Sequence, residues 1–338
     1  MNTLTTYSAN QPVSQVDRFD KLLANAIISS RFISKNVQLF DGYERDILNR
    51  FAARAEREQF VGSVPVPTLD PATTPIDVIA RHVTARANPV YIPGFARNCP
   101  AVDNWSTDFF KKKFGHEVVP VIDGDHYDKM TLGDVVDMIK SGSARRQKYL
   151  QAVADMFCNH RELFDYLPMG RLFQLQRSGF HGAELFMGAQ GTGSPWHAAN
   201  EWTFFVNVVG QKQWKFIRPQ FTLHMKPYYQ KDLIYVVSAY ADSDPEGITT
   251  YDVTLNPGDV LVFPAWWWHR VRNVSDESIG VAVRFRTLMQ QIKSPNPTLS
   301  MLQLTTAQQW KNIWLERTTG RMKDDERYLW RAHSVIGS

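Results

Sequence analysis

Two histidines stand in company that suggests chemistry. His197 lies in "GTGSPWHAANEWTFF", after a glycine-rich turn and just before a β-forming run, and His269 closes the apolar stretch "NPGDVLVFPAWWWH". The remaining histidines are scattered singly and read as surface or satisfied core residues. Imidazole is a good ligand for iron, and histidines carried by different strands of one barrel can converge on a metal ion. A facial set would want a carboxylate as well, yet two residues after His197 the chain has Ala199. Glu201 is the nearest carboxylate in the chain. On a continuous strand it would sit about 13 Å along from His197 at ~3.3 Å per residue, too far to share one ion. If "HAAN" is a turn, Glu201 comes within reach; otherwise its role is to contact substrate or to orient a ligand.

Near the second histidine, Trp266, Trp267 and Trp268 present alternating faces, so one or two of them wall a pocket while the rest pack the barrel. Trp268 is assigned to the substrate side. Arg284 and Arg286 share parity on the last apolar run, "IGVAVRFR", and should face the same side. Inward-facing arginines in a barrel require an anionic partner. That partner would be an acid group of a ligand or substrate, although an outward, solvated face fits the pattern equally.

These residues need a scaffold of strands. Between Tyr149 and Phe285 the segments "KYLQAV", "AELFMG", "WTFFVNVVG", "QKQWKFIRP", "YDVTL", "VLVFP" and "IGVAVRF" are short, rich in Val, Phe, Trp and Tyr, and bounded by Gly, Pro, Asn or Asp. That pattern predicts a mainly β, jelly-roll double sheet. Residues 1–75 are expected to form an N-terminal helical segment, with helical spacing at Phe19, Leu22, Leu23, Ala26 and Ile27 and an interruption near Asn36. The proline-rich "PVPTLDPATTPID" leads into a main domain over 76–290, where Ser106 is a plausible helix cap. Residues 291–338, with Trp310, Ile313 and Trp314 on one helical face, form a C-terminal helical tail and a candidate homodimer surface.

Bulk composition narrows the classes. In 338 residues, 43% hydrophobic and 12% aromatic, there is enough apolar material for a large packed core. The net charge of +4 is dispersed over both signs, which argues against a nucleic-acid binder. Two cysteines, Cys99 and Cys158, are too few for a disulfide framework and fit a cytoplasmic setting. The N-terminus lacks the pattern of a secretory signal, and no apolar stretch is of membrane-spanning length.

"GTGSPWHAANEWTFFVNVVGQKQWKFIRP", followed by "GDVLVFPAWWWHRVRN" and "GVAVRFR", resembles the JmjC/cupin-like 2-oxoglutarate oxygenases, in the branch that includes the asparaginyl hydroxylase of hypoxia-inducible factor. Upstream, "NPVYIPGFARNCPAVDNW" and "FFKKKFGHEVVPV" resemble the family's lead-in, so the likeness runs from about residue 80 to 287. The resemblance implies a double-stranded β-helix, Fe(II) held by His197 and His269, and 2-oxoglutarate as cosubstrate. By position it implies that Lys212 meets the remote carboxylate as a point charge, with hydroxyls from Ser194 and Tyr149 beside it. It also places Thr203 and Arg284 near the cosubstrate.

Ala199 is the departure from that family. Losing a carboxylate opens one coordination position and leaves the site one unit more positive, and a chloride ion would restore both bond and charge. In this one feature the sequence is similar to the iron/2-oxoglutarate halogenases, which carry His-x-Ala or His-x-Gly and deliver chlorine in place of hydroxyl to an unactivated carbon. Three readings follow. The first is a halogenase with Fe(II), 2-oxoglutarate and chloride as cofactors, acting on a small molecule, amino acid or peptide. The second is a hydroxylase that uses Glu201 or water in place of the carboxylate, or that carries an engineered Asp-to-Ala change. The third is a non-catalytic cupin-like binding protein, against which stands the retention of both histidines with Lys212, Ser194 and Tyr149. For the first two, Ala199 and Glu201 are the positions that bear on catalysis, and Arg286 joins Trp268 as a substrate contact.

Overall fold

A computed structural model describes residues 18–34, 40–47, 62–85, 88–123, 126–142, 148–228, 235–287 and 290. The expected C-terminal helical tail over 291–338, the interruption near Asn36 and most of the polar lead lie outside those residues. Within the N-terminal segment, Arg18–Ser34 is helical and places Ile27 and Ile28 in the core.

Among the described residues fifteen strands make the frame. They are β1 (Ser63–Pro65), β2 (Val90–Ile92), β3 (Val118–Asp123), β4 (His126–Thr131), β5 (Lys148–Val153), β6 (Phe180–Ala189), β7 (Gly193–Ala199) and β8 (Trp202–Val209). After them come β9 (Lys212–Ile217), β10 (Pro227–Tyr228), β11 (Tyr235–Ser238), β12 (Thr250–Leu255), β13 (Val260–Phe263), β14 (Trp268–Asn273) and β15 (Glu277–Phe285). One sheet runs β1-β12-β9-β14-β7-β11-β10 and the other β2-β13-β8-β15-β6-β5-β3-β4. Pairing is antiparallel except between β1 and β12. The chain alternates between the sheets from β6 to β9 and again from β12 to β15, which is the winding of a double-stranded β-helix. The jelly-roll expected from the sequence is the fold observed.

Both faces of the second sheet are covered, which is why its strands read as continuous apolar runs rather than alternating ones. From β8, Phe204 and Val206 face outward with Val283 and Phe285 of β15 and join the core beneath the flanking helices, which includes Phe110, Phe157 and Leu172. The opposite face sends Phe205, Phe263, Phe186 and Ala282 toward Trp214, Phe216, Val271 and Leu255 of the first sheet. Phe205 and Trp214 meet across the gap in an edge-on contact, ring centroids 4.8 Å apart. Local signals also hold: Ser106 caps the helix Thr107–Phe114 by accepting the Phe109 N–H. Among the described residues no helix is long and apolar enough to cross a membrane.

Candidate active site between the sheets

His197 is a strand residue, not the residue before a strand, and the chain turns only after Ala199. His269 likewise lies inside β14. The two strands are neighbours with His197 directly opposite His269, and the rings sit 4.0 Å apart between centroids. Each Nδ1 donates to the carbonyl two residues back, His197 to Pro195 at 2.7 Å and His269 to Trp267 at 2.8 Å. A carbonyl can only accept, so Nδ1 carries the proton and Nε2 the lone pair, the form that binds a metal ion. Burial pushes His197 down to about 4, and burial together with the neighbouring His197 holds His269 well below the usual imidazole range. Both rings are therefore neutral at physiological pH.

A bulge sets the rest of the face. His197 pairs with His269 and Ser194 with Val271, so β7 spends three residues where β14 spends two. The extra residue turns Ser194 onto the same face as His197 despite their odd separation. Continuing along that face, Asn273 lies opposite Lys212, Val271 opposite Trp214, and His269 opposite Phe216. The result is three rows: a lysine–asparagine row, a middle row with Ser194 and Trp214, and the histidine row.

Lys212 is fully buried, at 0% exposure, and among the described residues no carboxylate pairs with it. Its ammonium donates to Asn273 Oδ1 at 2.6 Å and lies 3.5 Å from the Tyr149 hydroxyl. Asn273 donates in turn to Thr192, and Thr192 to the Ala189 carbonyl, which fixes the amide with its oxygen toward the lysine. Desolvation pushes Lys212 down to about 7 and raises the Tyr149 phenol, so Tyr149 stays a neutral hydroxyl. A buried cation without a counter-ion is costly, and an incoming anion relieves that cost. These residues fit a dicarboxylate whose far end sits at Lys212.

Arg284 faces inward, but its anionic partners are supplied by the chain rather than left to a ligand. Its guanidinium donates to Glu184 at 2.9 and 2.5 Å and to the Thr203 hydroxyl at 2.5 Å, and lies 3.6 Å from Glu201. Glu201 is thus drawn to Arg284 by the turn after β7. Among the described residues no group of three His, Cys, Asp or Glu is gathered to hold a metal, so Glu201 does not complete the histidine pair. Burial and the neighbouring Glu201 push Glu184 up against the pull of Arg284. Burial works against the Arg284 charge, but the two carboxylates outweigh it and hold the guanidinium firmly protonated.

One substrate-side expectation is corrected. Trp268 is one residue from His269 and therefore points to the other side of the sheet, where it is buried and donates to Thr222 Oγ1 at 3.1 Å. Trp267 is the indole packed on the site side. Arg286 lies just beyond β15, which ends at Phe285, and its backbone N–H donates to the Gly179 carbonyl at 2.7 Å. Ala199 does share the His197 face, and its carbonyl accepts from Trp266 N–H at 2.8 Å. Sequence reasoning passed over Glu184, Asn273 and Thr192. Glu184 was detectable as a lone carboxylate in an apolar run, and Asn273 by its even spacing from His269.

The two histidines and the buried lysine fit an iron and 2-oxo acid site lacking one protein ligand. A cupin-like domain model matches residues 76–291. The chain is 25% identical over 205 residues to lysine-specific demethylase 8 of Danio rerio, covering 55% of this chain and 50% of that protein. To lysine-specific demethylase 8 of Xenopus tropicalis it is 23% identical over 234 residues, 61% and 52% of the two chains. It is 22% identical over 248 residues to Jumonji C domain-containing protein 5 of Drosophila melanogaster, 63% and 62% of the two chains. The alignments thus span between half and two thirds of these relatives. On the strength of that match over most of its length, the chain belongs to the cupin-like domain family.

Proposed function

We propose that this chain is an Fe(II)- and 2-oxoglutarate-dependent enzyme that functionalises a C–H bond, and that a halide takes the coordination position left by Ala199. The observation that carries the reading is position 199 itself. It shares the face of His197, offers a methyl group, and the next carboxylate along the chain, Glu201, lies beside Arg284. Dioxygen is the oxidant of this reaction, and iron with the 2-oxo acid, when bound, would supply the electrons that activate it. His197 and His269 offer Nε2 lone pairs, already oriented by their Nδ1 hydrogen bonds. Lys212, Tyr149 and Ser194 would hold the remote carboxylate, with Asn273 orienting the lysine, and the aromatic wall of Phe205, Trp214 and Phe263 would exclude water. The relatives' names as lysine-specific demethylases support a substrate built on an amino acid or peptide side chain.

A second reading is favoured by the charge around Arg284. Glu184 already pairs with that guanidinium, so Glu201 adds a second carboxylate which, when ionised, can offset the metal without a halide. Water would then fill the open position and the product would be hydroxylated. Anaerobic metal and anion analysis, followed by a product screen with chloride and bromide against amino acids and peptides, separates the two. A halide-dependent, 2-oxoglutarate-dependent chlorinated or brominated product is expected. Hydroxylated product independent of halide would establish the second reading, and no 2-oxoglutarate turnover with any substrate would leave a binding protein.

A further inference from the structure

Trp214 is 3% exposed and sits in the middle row, between the lysine–asparagine row and the histidine row. Its ring packs against Phe205, stacks on Phe216, and lies 5.8 Å from His269 at an interplanar angle of 24°. Among the described residues its indole N–H has no hydrogen-bond acceptor. Trp196 donates to the Ser243 carbonyl and Trp268 to Thr222; the Trp105 indole also lacks an acceptor, but it packs on Phe109, Phe110 and Tyr166 in the helical layer, whereas Trp214 lies between the lysine and the histidines. A buried donor with no acceptor costs stability and calls for a partner outside the chain.

We infer that Trp214 is a ligand-positioning donor, whose indole N–H bonds an oxygen of the dicarboxylate anchored at Lys212. This rests on the 2-oxoglutarate reading above and adds to it a residue that neither the histidine pair nor the lysine requires. The geometry supports it in two ways. A molecule with one end at Lys212 and the other at the histidines must cross the middle row, where Ser194 and Trp214 face the same side. The wall there is otherwise apolar, made by Phe205, Phe263, Phe216 and Val271, so an acceptor oxygen entering it finds few donors.

The test uses the full chain loaded with Mn(II) under anaerobic conditions and titrated with 2-oxoglutarate by calorimetry, wild type against Trp214→Phe. Phenylalanine keeps an aromatic ring and removes only the N–H and the second ring. The expected result is binding about tenfold weaker, the loss of one charge-assisted hydrogen bond, with the unliganded variant as well folded as wild type. In addition, the ¹⁵N-indole resonance that disappears in Trp214→Phe should move downfield in wild type when 2-oxoglutarate is added. Equal affinity of the two proteins, or an indole resonance that does not move, overturns the inference while leaving the 2-oxoglutarate reading intact. Absence of 2-oxoglutarate binding to wild type overturns both. Should Trp214→Phe fold poorly, the indole resonance of wild type decides alone.

Discussion

Lys212 shows how one buried charge couples stability to ligand binding. Its folded value of about 7 lies below the unfolded value of 10.5. Between those limits the unfolded chain holds a proton that the folded chain has shed, so stability rises with pH across that window and the full penalty remains below about pH 7. Binding of a dianion runs the other way, because it needs the ammonium, and affinity for 2-oxoglutarate should fall as pH climbs above 7. Lys212→Met keeps the volume and drops the charge. We expect unliganded stability unchanged or raised by ~1 kcal/mol, and 2-oxoglutarate affinity reduced by roughly 10- to 100-fold. Denaturant titration and calorimetry would report opposite signs for the same substitution; a matching loss of both would show that Lys212 is merely structural. Ala199→Asp tests the neighbouring gap. It should tighten metal binding and move the product from halogenated to hydroxylated, read by mass spectrometry of turnover mixtures.

The strands turn spacing into a site, and Gly188 on β6 shows how little room they leave. A Cβ there would come within 2.5 Å of Thr192 Oγ1, 2.7 Å of Asn273 Nδ2 and 2.7 Å of the Tyr149 ring. All three belong to the cradle around Lys212. Gly188→Ala should therefore weaken 2-oxoglutarate binding about tenfold and cost ~1–3 kcal/mol of stability through overpacking, while leaving metal affinity at the histidines nearly unchanged. Metal and cosubstrate titrations on one preparation would separate the two effects. The same close packing explains what the sequence could reveal. Strands such as Lys148–Val153 and Thr250–Leu255 were legible because their β-branched and aromatic residues are bracketed by turn formers. The strand carrying His197 was not, because "GSPWHAA" has a proline and a bulge where regular alternation would be, and the bulge is the device that aligns Ser194 with His197. Trp268 was misread for a related reason: three successive tryptophans advertise a wall, but the register of β14 alone decides which faces the site. The pattern around Arg284 fitted an inward and an outward face equally, and only tertiary contact shows it turned inward onto Glu184 and Glu201.

Across the molecule, the site lies between two sheets whose facing sides meet there, so occupancy and global stability are linked. In the metal-free protein two neutral histidines are buried side by side, His197 with a folded value of about 4 against 6.5 unfolded. As pH falls from 6.5 toward 4 the unfolded chain takes up protons that the folded chain refuses. Stability is therefore complete above about pH 6.5 and is lost progressively below it, with His269 adding to the loss because it too is held low. A divalent ion binds the neutral rings and opposes this loss. At a free metal concentration a hundred times its dissociation constant the folded state gains ~2.7 kcal/mol, and 2-oxoglutarate should add a further increment by neutralising Lys212 across the gap. Thermal melts of chelator-treated protein at pH 7.5, 6.5 and 5.5, repeated with Mn(II) and then with Mn(II) plus 2-oxoglutarate, should show a midpoint that falls with acid and recovers in two steps. His269→Leu removes one ring and should flatten the acid dependence and abolish the first step. A metal response that survived His269→Leu would mean that the ion binds elsewhere.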